Sequence, residues 1–151
     1  MSESQFVYVT YIRTSPQKLF DALTLPEFTK LYWDGVVHDA DWRPGGLWKL
    51  VFPDGRVADS GEVVAYDPPR RLELRWRNEF RDDLRAEGYS RCVMEIEPDG
   101  EVTRLTITHS MDKPSSKLIE AVGGGWPRLM SSLKTLLETG SVLPTQTTGR
   151  G

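Results

Sequence analysis

The feature that most limits what this chain can fold into is a change of hydrophobic period. From Val36 to Met111, apolar and polar residues alternate in runs separated by turn chemistry: "RPGG" at 43–46, "PDG" at 53–55, "DPPR" at 67–70 and "PDGE" at 98–101. Alternating runs joined by Gly- and Pro-bearing turns point to antiparallel strands linked by hairpins. After Pro114 the period lengthens to about 3.6, with Leu118, Ile119 and Val122 on a short stripe and Leu129, Met130, Leu133, Leu136 and Leu137 on a longer one. A sheet with one apolar face followed by a helix with one apolar stripe has to bury the two against each other.

The alternating runs place strands near 36–42, 46–52, 56–66, 70–78, 89–97 and 102–110, and "QFVYVTYIR" at 5–13, rich in β-branched and aromatic residues, adds a strand ahead of them. Trp48, Leu50 and Phe52 share the inward parity with Leu72, Leu74 and Trp76, with Cys92, Met94 and Ile96, and with Leu105 and Ile107. Arg71, Glu73, Arg75 and Arg77 take the other parity, and Asp39, Asp41, Asp59 and Glu62 read as outward or strand-edge charges. Ser15-Pro16 and Leu25-Pro26 each place proline at a first helical position, which predicts two short helices over "SPQKLFDAL" and "PEFTKLYW". Gly140 stands where the cap of the last helix belongs. Residues 1–140 are therefore expected to form one domain, and the tail at 141–151, "SVLPTQTTGRG", to be disordered.

The stretch "AVGGGWPRLM" at 121–130 admits two readings. A phosphate loop needs its glycines between a strand and a helix, usually followed by Lys-Ser or Lys-Thr, whereas here helical pattern precedes them and Trp126-Pro127 follows. The better reading is a hinge: Pro127 breaks or kinks the helix and Gly123, Gly124 and Gly125 absorb the backbone angles of the break.

Composition removes several function classes. A net charge of −3 gives no global positive field for nucleic acid or an anionic membrane. The seven arginines between Arg70 and Arg91 are interleaved with five acidic residues, as on a solvated face. No apolar run reaches the ~18 residues of a membrane span and no secretory leader is visible, so a cytoplasmic location is expected. Cys92 is the one cysteine and the two histidines, His38 and His109, lie far apart in sequence, so no metal set and no cofactor are assigned. A GxSxG elbow and a cysteine–histidine nucleophile pattern are both absent.

Five segments, "SPQKLFDALTLPEFTKLYW", "DWRPGGLWKL", "GEVVAYDPPRRLELRW", "TRLTITHSM" and "GGGWPRLMSSLKTLLETG", occur in the order in which the chain resembles the branch of the START-like (SRPBCC) superfamily similar to activators of heat-shock-protein-90 ATPase. The resemblance implies an α+β helix-grip fold, a curved seven-stranded antiparallel sheet wrapped around a long C-terminal helix with an apolar cavity between them. Members of the superfamily include ligand carriers, polyketide aromatase/cyclases and chaperone activators, so the fold alone does not assign the activity.

Trp33, Trp48, Phe52, Trp76 and Trp126 sit on elements expected to border that cavity, with Met94 inward on its strand and Met130 on the helix side. Together with His109, which shares the parity of Leu105 and Ile107, they form the expected ligand-binding set. The primary expectation is a binding module for an apolar or aromatic small molecule. A cyclase- or aromatase-type enzyme is the alternative, with His109 as its acid/base and no second catalytic group identified. A chaperone contact or stress-related interaction module is the third reading, and a homodimer also stays open.

Overall fold

In the computed structural model, which describes residues 3–144, each of the four turn clusters joins two neighbouring antiparallel strands. The elements are β1 (Ser4–Ile12), α1 (Pro16–Thr24), α2 (Pro26–Tyr32), β2 (Val37–Ala40), β3 (Leu47–Val51), β4 (Val57–Asp67), β5 (Arg71–Asn78), α3 (Asp82–Arg85), β6 (Ser90–Asp99), β7 (Val102–Met111) and α4 (Lys117–Thr139). The seven strands form one sheet in the order β1-β7-β6-β5-β4-β3-β2. β1 and β2 therefore occupy opposite edges, and α1 and α2 carry the chain from one to the other. The single turn α3 lies in the charged connection between β5 and β6.

Local chemistry explains the helix ends. The Ser15 hydroxyl accepts the Lys18 N–H at 3.2 Å with Pro16 at the first helical position, and the Ser116 hydroxyl accepts the Ile119 N–H at 3.2 Å. Gly140 closes α4 at φ 85°, donating its N–H to the Leu136 carbonyl. Between these caps α4 is unbroken, which corrects the expected hinge. Gly123, Gly124 and Gly125 lie inside the helix and none has a positive φ. Pro127 withholds one N–H from the ladder, and the burial of Trp126, Met130 and Leu133 against the sheet keeps the helix continuous around it.

The alternation read from the sequence is the burial pattern found. Leu72, Leu74 and Trp76 on β5, Cys92, Met94 and Ile96 on β6, and Leu105 and Ile107 on β7 are all buried. They pack with Phe20 of α1 and with Met130 and Leu133 of α4 in one core. In the strand register Gly61 stands opposite Trp48 on one side and Trp76 on the other, and the two indoles meet with ring centroids 4.8 Å apart. A Cβ on Gly61 would lie 1.8 Å from the Arg75 carbonyl oxygen, so only glycine allows this approach of β4 to β5.

Residues 141–144, the start of the expected tail, lie against α4. The Leu143 N–H donates to the Ser132 hydroxyl at 3.3 Å and the Arg128 guanidinium donates to the Pro144 carbonyl at 2.8 Å, which folds this segment back along α4. The rest of the expected tail, 145–151, lies outside the described residues. Among the described residues no helix is long and apolar enough to cross a membrane.

Candidate functional site

The sheet and α4 do not close on each other along their whole length. At one end a cavity of about 960 Å³ opens between α2, the ends of β3, β4 and β5, α3 and α4. Its wall includes Tyr32, Trp33, Leu50, Ala58, Trp76 and Trp126, and its mouth carries the exposed side chains of Leu31 and Phe80 with Arg56, Arg81 and Arg128. Gly124 and Gly125 line it without side chains, and Leu143 and Pro144 of the returning segment form one side. The glycines expected to be a hinge thus leave room beside the cavity.

Four of the eight expected binding residues, Trp33, Phe52, Trp76 and Trp126, line this space. The other four do not. Trp48 is fully buried beneath Trp76, and Met94 sits mid-sheet opposite Leu72 and Ile107. Met130, one turn beyond Trp126 on α4, is 1% exposed in the core. His109 faces inward as its parity required, but Trp126 covers it and it is fully buried. Parity gives the face of a sheet, and distance along the strand decides whether that face meets core or cavity.

The geometry at His109 defines its protonation. The Ser90 hydroxyl donates to the Trp76 carbonyl at 2.8 Å, so it accepts from His109 Nε2–H at 2.8 Å, and His109 Nδ1 accepts the Trp126 indole N–H at 3.2 Å. Both ring nitrogens are engaged and burial pushes the pKa down to about 3. A neutral imidazole with neither nitrogen facing the cavity orients Trp126 rather than transferring protons.

His38 repeats this arrangement. Its Nε2–H donates to the Leu23 carbonyl at 2.9 Å and its Nδ1 accepts the Trp48 indole N–H at 2.9 Å. The ring lies among Trp33, Trp42 and Trp48, and burial lowers its pKa to about 4 against the opposing effect of the backbone bond.

The group missed by the sequence is Asp59. Read there as an outward charge, it is 7% exposed, lines the cavity, and accepts the Trp76 indole N–H on Oδ1 at 3.0 Å. Burial pushes its carboxyl up to about 7, the Trp76 bond opposes this, and the nearby Glu79 charge adds to it. Its cross-strand partner Asn78 also lines the cavity and turns the chain into α3 by accepting the Phe80 and Arg81 N–H groups. Asp59 shares its face with Gly61 and Val63, a parity obscured in the sequence by the register shift between Val63 and Ala65. Among the described residues no three His, Cys, Asp or Glu side chains converge where they could hold a metal ion.

The site is therefore an aromatic slot with one buried carboxylate at its wall and arginines at its mouth, and comparison with known proteins places the scaffold. A protein from Mesorhizobium loti superposes with a TM-score of 0.76 at 22% identity, over 92% of this chain and 100% of its own. An HSP90 activator from Plasmodium falciparum gives 0.72 at 21%, over 89% and 96%, and the Aha1 dimer from Colwellia psychrerythraea gives 0.70 at 19%, over 91% and 98%. At these identities the likeness is one of fold, the helix grip. No curated protein matches the sequence. The family description "Activator of Hsp90 ATPase homolog 1-like protein" matches residues 13–138, and the chain belongs to that family.

Proposed function

We propose that the protein binds an apolar or aromatic small molecule in the cavity between the sheet and α4. The observation that carries this reading is the cavity itself: about 960 Å³ with Trp33, Trp76 and Trp126 in its wall. That is within the size of sites that enclose whole small ligands, and it combines an apolar lining with a few placed polar groups. Burial of an aromatic ligand here would be stabilised by roughly 25 cal/mol per Å² of apolar surface removed from water. A chaperone contact, the reading prompted by the family description, would use the outside of the fold and leave the cavity without a role.

Cavity-narrowing variants test the proposal. A Cβ on Gly124 or Gly125 meets nothing within 4 Å, so Gly124→Leu and Gly125→Leu extend into the opening without backbone strain. Calorimetric titration with 1-naphthylmethanol should give saturable one-site binding to the wild type. The double variant should keep its fold and bind at least about tenfold more weakly, a loss of ~1.4 kcal/mol. Native mass spectrometry of freshly purified wild type should retain a small molecule that the double variant loses. Equal affinity in wild type and variant would sink the reading.

A further inference from the structure

We propose that the cavity selects a protonated amine carried on an apolar or aromatic body, with the Asp59 carboxylate as its counter-charge. This rests on the ligand-binding reading above and names the ligand's chemical class. Asp59 lines the cavity while 7% exposed, and among the described residues the one hydrogen bond of its carboxyl group is the Trp76 indole N–H on Oδ1. Among the described residues no Lys or Arg forms an ion pair with it. The charged neighbour that acts on it is Glu79, a carboxylate already held by Arg77 at 2.7 Å and Arg85 at 2.9 Å.

The other charged groups of the cavity wall come from four places: Asp34 after α2, Arg56 between β3 and β4, Arg81 before α3 and Arg128 on α4. Each arginine has another partner. Arg56 binds Asp54 at 2.8 Å and lies over the Phe52 ring, Arg81 binds Asp83 at 3.0 Å, and Arg128 donates to the Pro144 carbonyl. Asp34 adds a second carboxylate to the lining.

A buried carboxylate without a cation is costly, and part of that cost is recovered when a ligand supplies the opposite charge. A hydrogen bond between N⁺–H and a carboxylate is also roughly twice as strong as one between neutral groups. The rings of Trp33 and Trp76 stand 6.2 Å and 5.7 Å from that of Trp126, which offers a cation several indole faces within one slot. Burial holds the Asp59 carboxyl near neutrality, at about 7, so its charge is available to a cation and is withdrawn on mild acidification. An anionic ligand would meet the same carboxylate with the wrong sign.

Three probes of one shape test this by calorimetric titration: 1-naphthylmethylamine, 1-naphthylmethanol and 1-naphthoate. At about pH 8, where Asp59 is mostly ionised, the wild type should bind the amine about tenfold or more tighter than the alcohol, and the naphthoate weakest. Asp59→Asn keeps an acceptor for the Trp76 indole and should bind amine and alcohol alike. In the wild type at about pH 5, where the amine is still protonated and Asp59 is not ionised, the preference should shrink to parity. This arm decides the matter alone if the variant fails to fold. Alcohol binding with no preference for the amine, or a preference that survives in Asp59→Asn or at the lower pH, overturns the amine inference and leaves the cavity reading standing. Binding of none of the three probes overturns both.

Discussion

Three indole N–H groups, those of Trp48, Trp76 and Trp126, each end on a buried or half-buried titratable acceptor: His38, Asp59 and His109. Pairing of this kind satisfies donors that would otherwise be stranded beneath the cavity wall, and it fixes the tautomer of the two histidines. Trp126→Phe retains most of the ring's packing but leaves His109 Nδ1 without its donor. The expected cost is about 1–3 kcal/mol in urea denaturation, and a variant as stable as wild type would show that bond to be dispensable. The inward direction of His109 was legible from strand parity, because an alternating strand shows its two faces in the sequence. Its engagement at both nitrogens was not, since Ser90 and Trp126 are 19 and 17 positions away and nothing local marks them as partners. Asp59 was hidden for another reason: a charged residue in an alternating run is ordinarily a solvent-side residue, and only the register shift further along β4 reveals its true face.

At the scale of elements, α4 shows how a sequence rule is overridden. Three glycines and a proline in ten residues predict a broken helix, because glycine costs about 1 kcal/mol and proline about 3 kcal/mol in a helix interior. The caps at Ser116 and Gly140 and the buried stripe of Trp126, Met130 and Leu133 outweigh these local costs. Helical stability in a folded protein comes mainly from such packing. The strand–turn pattern was more legible because each turn cluster acts within a few residues and needs no distant partner. The unbroken helix has a measurable consequence. Gly124 and Gly125 are helical with open space where a Cβ would go, so Gly124→Ala and Gly125→Ala should each raise stability by about 0.5–1 kcal/mol in urea denaturation. Gly123→Ala should gain less, because its Cβ would come within 3.3 Å of the Phe6 ring. Loss of stability in both of the first two variants would restore the hinge.

For the whole molecule, the buried titratable groups set opposing pH dependences. His38 and His109, depressed to about 4 and about 3 from 6.5, are neutral when folded and protonated when unfolded, so their contribution is present above about pH 6.5 and is lost as pH falls. Asp59, raised to about 7 from 3.8, works the other way: the folded state holds the proton longer, and stability rises as pH falls through that window. Between about pH 6 and 4.5 two protons are taken up on unfolding and one is released. These three groups together therefore lower stability by about 1.4 kcal/mol per pH unit on acidification, and the depressed Glu79 carboxyl adds to the fall toward the lower end. In Asp59→Asn the slope should steepen by about 1.4 kcal/mol per unit, with higher stability than wild type at about pH 8. Urea denaturation at stepped pH measures both slopes, and equal slopes would show that Asp59 does not hold its proton in the folded state. The ring web through which these groups are wired also has an optical consequence. Trp48, Trp76, Trp126 and Trp33 follow one another at 4.8, 5.7 and 6.2 Å, and Trp42 joins through the His38 ring at 5.3 Å. Transition dipoles held this close at fixed angles couple as excitons, so Trp48, Trp76, Trp126 and Trp33 should contribute to one circular-dichroism couplet. A molecule seated among Trp33, Trp76 and Trp126 would shift three of its coupled members at once, giving the unlabelled protein its own chiroptical readout of occupancy.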